Sequence, residues 1–168
     1  PSSMLALSLA AAAAVYAAKV GTFSFYQQSD PITDDVQAAI ALEDGDKIFM
    51  LLCNNRDEKR IKITYRTNSR FKIKSTFFEP RMTVRFDGGV PSRQNWNFEP
   101  SVAYIRQHDS VASFAIEMLR SSQMVVRTTR YDDVFIDATF RLEGAREAMN
   151  MLVKACGDSE FSARIDAK

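Results

Sequence analysis

The chain has 168 residues and a mass of 18.9 kDa, the size of one ordinary domain. Its 22 Lys and Arg against 21 Asp and Glu give a formal charge of +1, and 46% of the residues are hydrophobic. That balance excludes a disordered chain and supplies no electrostatic footprint for a nucleic-acid partner. Two Cys and one His are too few for a structural zinc site, which usually takes four such ligands, so neither a metal nor a cofactor is expected.

Residues 4–18 are apolar and Ala-rich, with no charge before Lys19. The run is shorter than the roughly twenty residues that cross a bilayer. It has the length of an export-signal core, with Val15-Tyr16-Ala17 as a small-x-small cleavage site. Residues 1–18 therefore read as a signal peptide whose basic start would lie upstream of Pro1. An Ala-rich helix packed on the domain is the alternative. Export would leave a mature protein without a transmembrane span, periplasmic or secreted, in an oxidising compartment.

Residues 19–157 contain no repeat, low-complexity tract or linker and read as a single β-rich domain. Residues 22–27 and 36–42 are strand candidates, and 43–46 form a hairpin-type connector. Residues 47–53 are apolar on both faces, with Phe49, Leu51 and Cys53 on one and Ile48, Met50 and Leu52 on the other, the pattern of a central strand. Residues 60–66 alternate, with Ile61, Ile63 and Tyr65 inward. Residues 70–77 and 82–86 give two further strands before the turn at Asp87-Gly88-Gly89.

Asp109 would cap a helix carrying Val111, Phe114, Ala115, Met118 and Leu119 on one face. Residues 123–130 and 134–141 are strands joined around Asp132-Asp133. The clearest helix has Ala145, Ala148, Met149, Leu152, Val153 and Cys156 on one stripe and Gly157 as its C-terminal cap. Residues 158–168 read as a polar tail in which Phe161 and Ile165 are able to dock. The expected fold is mainly β (α+β): an antiparallel sheet or sandwich with the C-terminal helix packed on it.

Cys53 ends the central strand and Cys156 lies on the buried stripe of the last helix, so both point at the core. A disulfide between them would close a loop of about a hundred residues, worth roughly 4–5 kcal/mol by chain entropy. Two separate buried thiols are the alternative, and export favours the bond. Neither Cys has the exposed, His-flanked setting of a nucleophile.

The order of several short segments carries a resemblance. Leu51-Leu52-Cys53 ends a strand; Val84-Arg85-Phe86-Asp87 and Trp96 follow; Phe114 and Leu119 precede the strand Met124-Val125-Val126-Arg127; and residues 138–145 (ATFRLEGA) run into a helix ending Ala155-Cys156-Gly157. Over residues 20–157 this resembles small exported bacterial proteins of the invasion-associated locus B type. It is also similar to the periplasmic accessory proteins associated with type VI secretion. The resemblance implies a β-rich exported domain whose strand Cys pairs with the Cys ending the last helix. It implies a binding or accessory role and no catalytic residue.

No phosphate loop, dinucleotide fingerprint, zinc-protease motif or nucleophile elbow is present. His108, between Gln107 and Asp109, reads as a solvated connector residue. Asp34-Asp35, Asp44 with Asp46 and Asp132-Asp133 are the carboxylate pairs a small extracytoplasmic hydrolase would need, but all sit in turns, where Asp is expected anyway. Residues 56–74 hold eight basic and two acidic side chains. Arg60, Lys62, Arg70, Lys72 and Lys74 are expected to form a cationic stripe. It would face an envelope or secretion-system protein or an anionic envelope surface, unless it is simply a solvated sheet face. Arg85 and Asp87 fall on one strand face near Trp96, either as a polar recognition spot or as a structural ion pair beside a core Trp.

Overall fold

The computed structural model describes residues 14–57 and 60–167. Strands β1 (Ala14–Val20), β2 (Phe23–Ser29), β3 (Val36–Asp44) and β4 (Lys47–Asn54) form consecutive antiparallel hairpins. Strand β5 (Lys62–Arg66) pairs with β4. Next come β6 (Met82–Phe86), β7 (Ser92–Gln94), β8 (Asn97–Phe98), β9 (Val102–Ile105) and helix α1 (His108–Arg120). The hairpin β10 (Gln123–Thr129) and β11 (Phe135–Arg141) leads to helices α2 (Ala145–Cys156) and α3 (Ser159–Asp166). One seven-stranded sheet runs β1-β2-β3-β4-β5-β9-β8 and a four-stranded sheet runs β11-β10-β6-β7.

Strand β4 is central, as its composition predicts. Phe49, Leu51 and Cys53 are buried, whereas Ile48, Met50 and Leu52 on the opposite face are only half-buried. The second sheet and the helices lie on the Phe49 face. The Phe49 ring is 5.3 Å from Phe114 of α1, 5.8 Å from Phe140 of β11 and 6.4 Å from Tyr65 of β5. Helix α2 covers β2 and β3 with Ala145, Ala148, Met149, Leu152 and Cys156. The expected antiparallel β architecture with a packed C-terminal helix is the one observed.

Several elements depart from the sequence expectation. Residues 1–13 of the apolar run lie outside the described residues; residues 14–18 are strand, paired with β2 through Ala14↔Ser29 to Ala18↔Phe25. Residues 70–77 alternate like a strand but make only isolated bridges, because their amides bond elsewhere: Phe71 to the Pro100 carbonyl and Lys72 to the Thr129 carbonyl, both at 2.9 Å. Asp109 is not the cap of α1. The helix starts one residue earlier, after Gln107, and the Asp109 carboxylate instead takes an ion pair from Arg164. Residues 158–168 include a docked helix, α3, with Phe161 and Ile165 buried four residues apart.

The β1–β2 turn and the entry to α2 touch backbone to backbone. The Thr22 amide donates to the Glu143 carbonyl at 2.9 Å, and its hydroxyl donates to the Arg141 carbonyl at 2.6 Å. Gly21 has φ +59°, and a Cβ there would lie 2.0 Å from the Glu143 oxygen. Gly45 has almost the same φ, +61°, with open space around it. Gly21→Ala is therefore expected to cost about 3 kcal/mol or more, and Gly45→Ala only about 1–2 kcal/mol. Denaturant unfolding of both variants checks this; equal losses would show that the close contact contributes nothing.

Candidate functional site

Cys53 at the end of β4 and Cys156 at the end of α2 form a disulfide with Cα atoms 5.9 Å apart, closing a sequence separation of 103. Both half-cystines are buried. Close by, the carboxylate of Asp158, only 6% exposed, accepts from two buried amides: Ile61 at 2.9 Å and Phe161 at 3.0 Å. The same carboxylate thus caps α3 and fixes the entry to β5.

The basic residues do not form one stripe. Lys62 lies opposite Leu52 and Arg66 opposite Ile48, so Arg60 and Lys62 sit at one end of β5 while the segment carrying Arg70, Lys72 and Lys74 leaves from the other. Arg60, Lys62 and Arg70 are exposed. The Lys72 ammonium pairs with Asp133 and lies 4.4 Å above the Phe78 ring. Lys74 pairs with Glu79 at 3.6 Å. What separates the two groups is the loss of the strand expected at residues 70–77.

Arg85 and Asp87 do share a strand end, but each bonds to backbone and not to the other. Arg85 donates to the carbonyls of Gly88 at 2.7 Å and Gly89 at 2.8 Å. Asp87 accepts from the amides of Ser122 and Gln123 at 2.9 and 3.0 Å, tying the β6 turn to the start of β10. Trp96 is 6% exposed, with its ring 5.7 Å from Phe114 and its Nε1 donating to Gln94 at 3.0 Å. These three residues thus have structural roles at the rim of the core. Beside them, Gln94, Asn95, Ser110, Ser113 and Glu117 edge an open cleft of about 490 Å³ floored by Phe86, Trp96 and Phe114.

In the carboxylate pairs, every carboxylate except that of Asp34 is engaged by a neighbour. Asp44 accepts from the Thr139 amide at 2.9 Å and Asp46 from the Asn68 amide at 3.1 Å. Asp35 pairs with Arg56 at 3.1 Å. Asp132 takes a two-pronged bond from Arg130 at 2.6 and 2.7 Å, which holds its carboxyl below the ordinary range. Arg127 does the same to Asp137. Among the described residues, no group of three or more His, Cys, Asp or Glu could hold a metal ion. His108 is not a solvated connector residue. It opens α1, mostly buried, with Nδ1 3.6 Å from Glu160 and Nε2 without a partner.

With this geometry in place, comparison with solved structures gives an informative likeness. The crystal structure of invasion associated protein B from Bartonella henselae matches with a TM-score of 0.55, over 83% of this chain and 96% of that one, at 9% sequence identity. The chain has that protein's fold. No family profile matches it, and no characterised protein matches it by sequence.

One buried polar group has no assigned task. The Tyr65 hydroxyl lies between the layers without a hydrogen-bond partner. Burial, reinforced by Asp46, Asp44 and Asp137, pushes its phenol well above the usual 10.0, and Thr128 beside it offsets little of this. Because the folded-state value is the higher, this contribution is complete below about pH 10 and is lost as pH rises toward the folded value. Tyr65→Phe is expected to stay within about 1 kcal/mol of wild type at neutral pH. It should also weaken the alkaline loss of stability. Unfolding midpoints measured across the alkaline range check both; a variant that falls as steeply as wild type would contradict the assignment.

Proposed function

We propose that the chain is an exported, non-enzymatic binding or accessory protein of the bacterial envelope. The observation that carries this reading is the buried Cys53–Cys156 bond, which joins the central strand to the last helix. Such bonds persist in oxidising compartments and are rare where thiols are kept reduced. The fold shared with invasion associated protein B supports the same reading. Among the described residues, no helix is long and apolar enough to cross a membrane.

The carboxylates offer a hydrolase little. A general acid needs a raised pKa, whereas Asp132, one of the paired carboxylates, is held below the ordinary range by Arg130. An accessory role beside a secretion system, including the type VI kind, belongs to this same reading. So does a leader ending near Ala17. Cleavage there would leave residues 18–20 of β1 paired with residues 23–25 of β2.

The test is expression of the full chain in a Gram-negative host, followed by fractionation and intact-mass measurement without reductant. The expected product is extracytoplasmic, shortened near Ala17 and free of alkylatable thiols. A full-length cytosolic product with both thiols free would overturn the reading. Capture from envelope extracts, repeated with Lys62 and, separately, Arg70 and Lys72 reversed in charge, is expected to fall for the variant that alters the binding face.

A further inference from the structure

The loop between β5 and β6 ends in a protruding aromatic. Ser75 and Phe78 bridge each other, with the Ser75 amide donating to the Phe78 carbonyl at 3.0 Å, so Thr76 and Phe77 form the tip of a tight turn. Phe77 is 99% exposed. Its neighbour Phe78 folds back beneath the Lys72 ammonium. At the base of the turn, Ile73 (45% exposed) and Tyr131 (64% exposed) line a groove of about 620 Å³ with Arg70, Lys72 and Ser75. Residues 66–81 carry five basic side chains and one acidic.

We infer that this loop docks on an anionic lipid bilayer, with Phe77 inserted at the acyl boundary and Arg70 and Lys74 meeting headgroup phosphates. The combination decides the class of partner. Phe77 at the tip with Ile73 and Tyr131 at its base groups exposed apolar side chains in one place, and such a grouping marks an interaction site where a lone exposed side chain would not. An aromatic that projects from the surface suits a soft interface, and the surrounding cations are attracted to an anionic leaflet. Arg70 is exposed and joins no ion pair among the described residues. The Lys74–Glu79 pair is exposed on both sides, with side chains 76% and 54% accessible, so little holds it against exchange for a phosphate.

The inference deepens the envelope reading and rests on it for biological meaning, since an exported domain meets such surfaces. The test is sedimentation of the full chain with vesicles of phosphatidylcholine alone and of phosphatidylcholine mixed with phosphatidylglycerol. Binding is expected only to the mixed vesicles and should weaken as salt rises. Phe77→Ser should reduce it about tenfold, and Arg70→Glu with Lys74→Glu should abolish it. Every variant keeps residues 1–18, so any affinity of that apolar run is common to all. Equal binding to both vesicles, or binding untouched by Phe77→Ser, would overturn the inference. Vesicle failure with correct export would leave the envelope reading standing; vesicle binding by a cytosolic, reduced chain would do the reverse.

Discussion

The inner face of β4 fixes every other layer of the fold. Phe49 touches rings from β5, α1 and β11, Leu51 is fully buried, and Cys53 is bonded to α2. Because strand side chains alternate, a slip of one residue would turn all three outward together. Aromatic packing and a covalent bond therefore enforce the same register. Helix α2 is held at both ends: by the Gly21–Gly144 backbone contact where it begins and by Cys156 where it stops. The N-terminal hairpin, the central strand and the last helix thereby form one clamped unit.

That clamp separates the molecule into two ends with different duties. Cys53 lies five residues beyond Ile48 along β4, and Ile48 is the register partner of Arg66. At about 3.3 Å per residue the crosslink and the departure point of the cationic loop are roughly 16 Å apart. The crosslinked end is dense, with Asp158 fastening α3 and β5 beside the disulfide. The other end presents the turn at Phe77 with the exposed Arg70 and Lys74. A rigid frame with a protruding, chemically distinctive loop suits a protein that works by contact.

Much of the fold was legible because it follows from period and punctuation. The alternation at residues 60–66, the two-sided apolar run of β4 and the stripe of α2 ending at Gly157 all have a single natural reading. The two Cys were legible as core-facing residues, while the bond between them was one of two readings until the structure joined them at a Cα separation of 5.9 Å. The failures also have physical causes. Strands β7 to β9 span two to four residues each, too short for a period to show. Residues 70–77 alternate, yet backbone partners from Pro100 and Thr129 decide their path. The tail helix had a usable signal: Asp158 stands three residues before Phe161, with Ile165 one turn later. At the candidate site, the sequence placed the cations but not Phe77 at a tip, since a strand assignment hides every turn within it. It also placed Arg85 and Asp87 correctly while leaving their backbone partners unseen, because those lie at distant positions in the chain.

The central claim is that the bond between β4 and α2 holds the helical layer to the sheet. Its most direct test is denaturant unfolding of the oxidised protein against the same protein with both Cys replaced by Ser. The account predicts a loss of roughly 4–5 kcal/mol, as expected for closing a loop of about a hundred residues. Equal stability of the two forms, with thiols that alkylate freely in the folded wild-type protein, would contradict it.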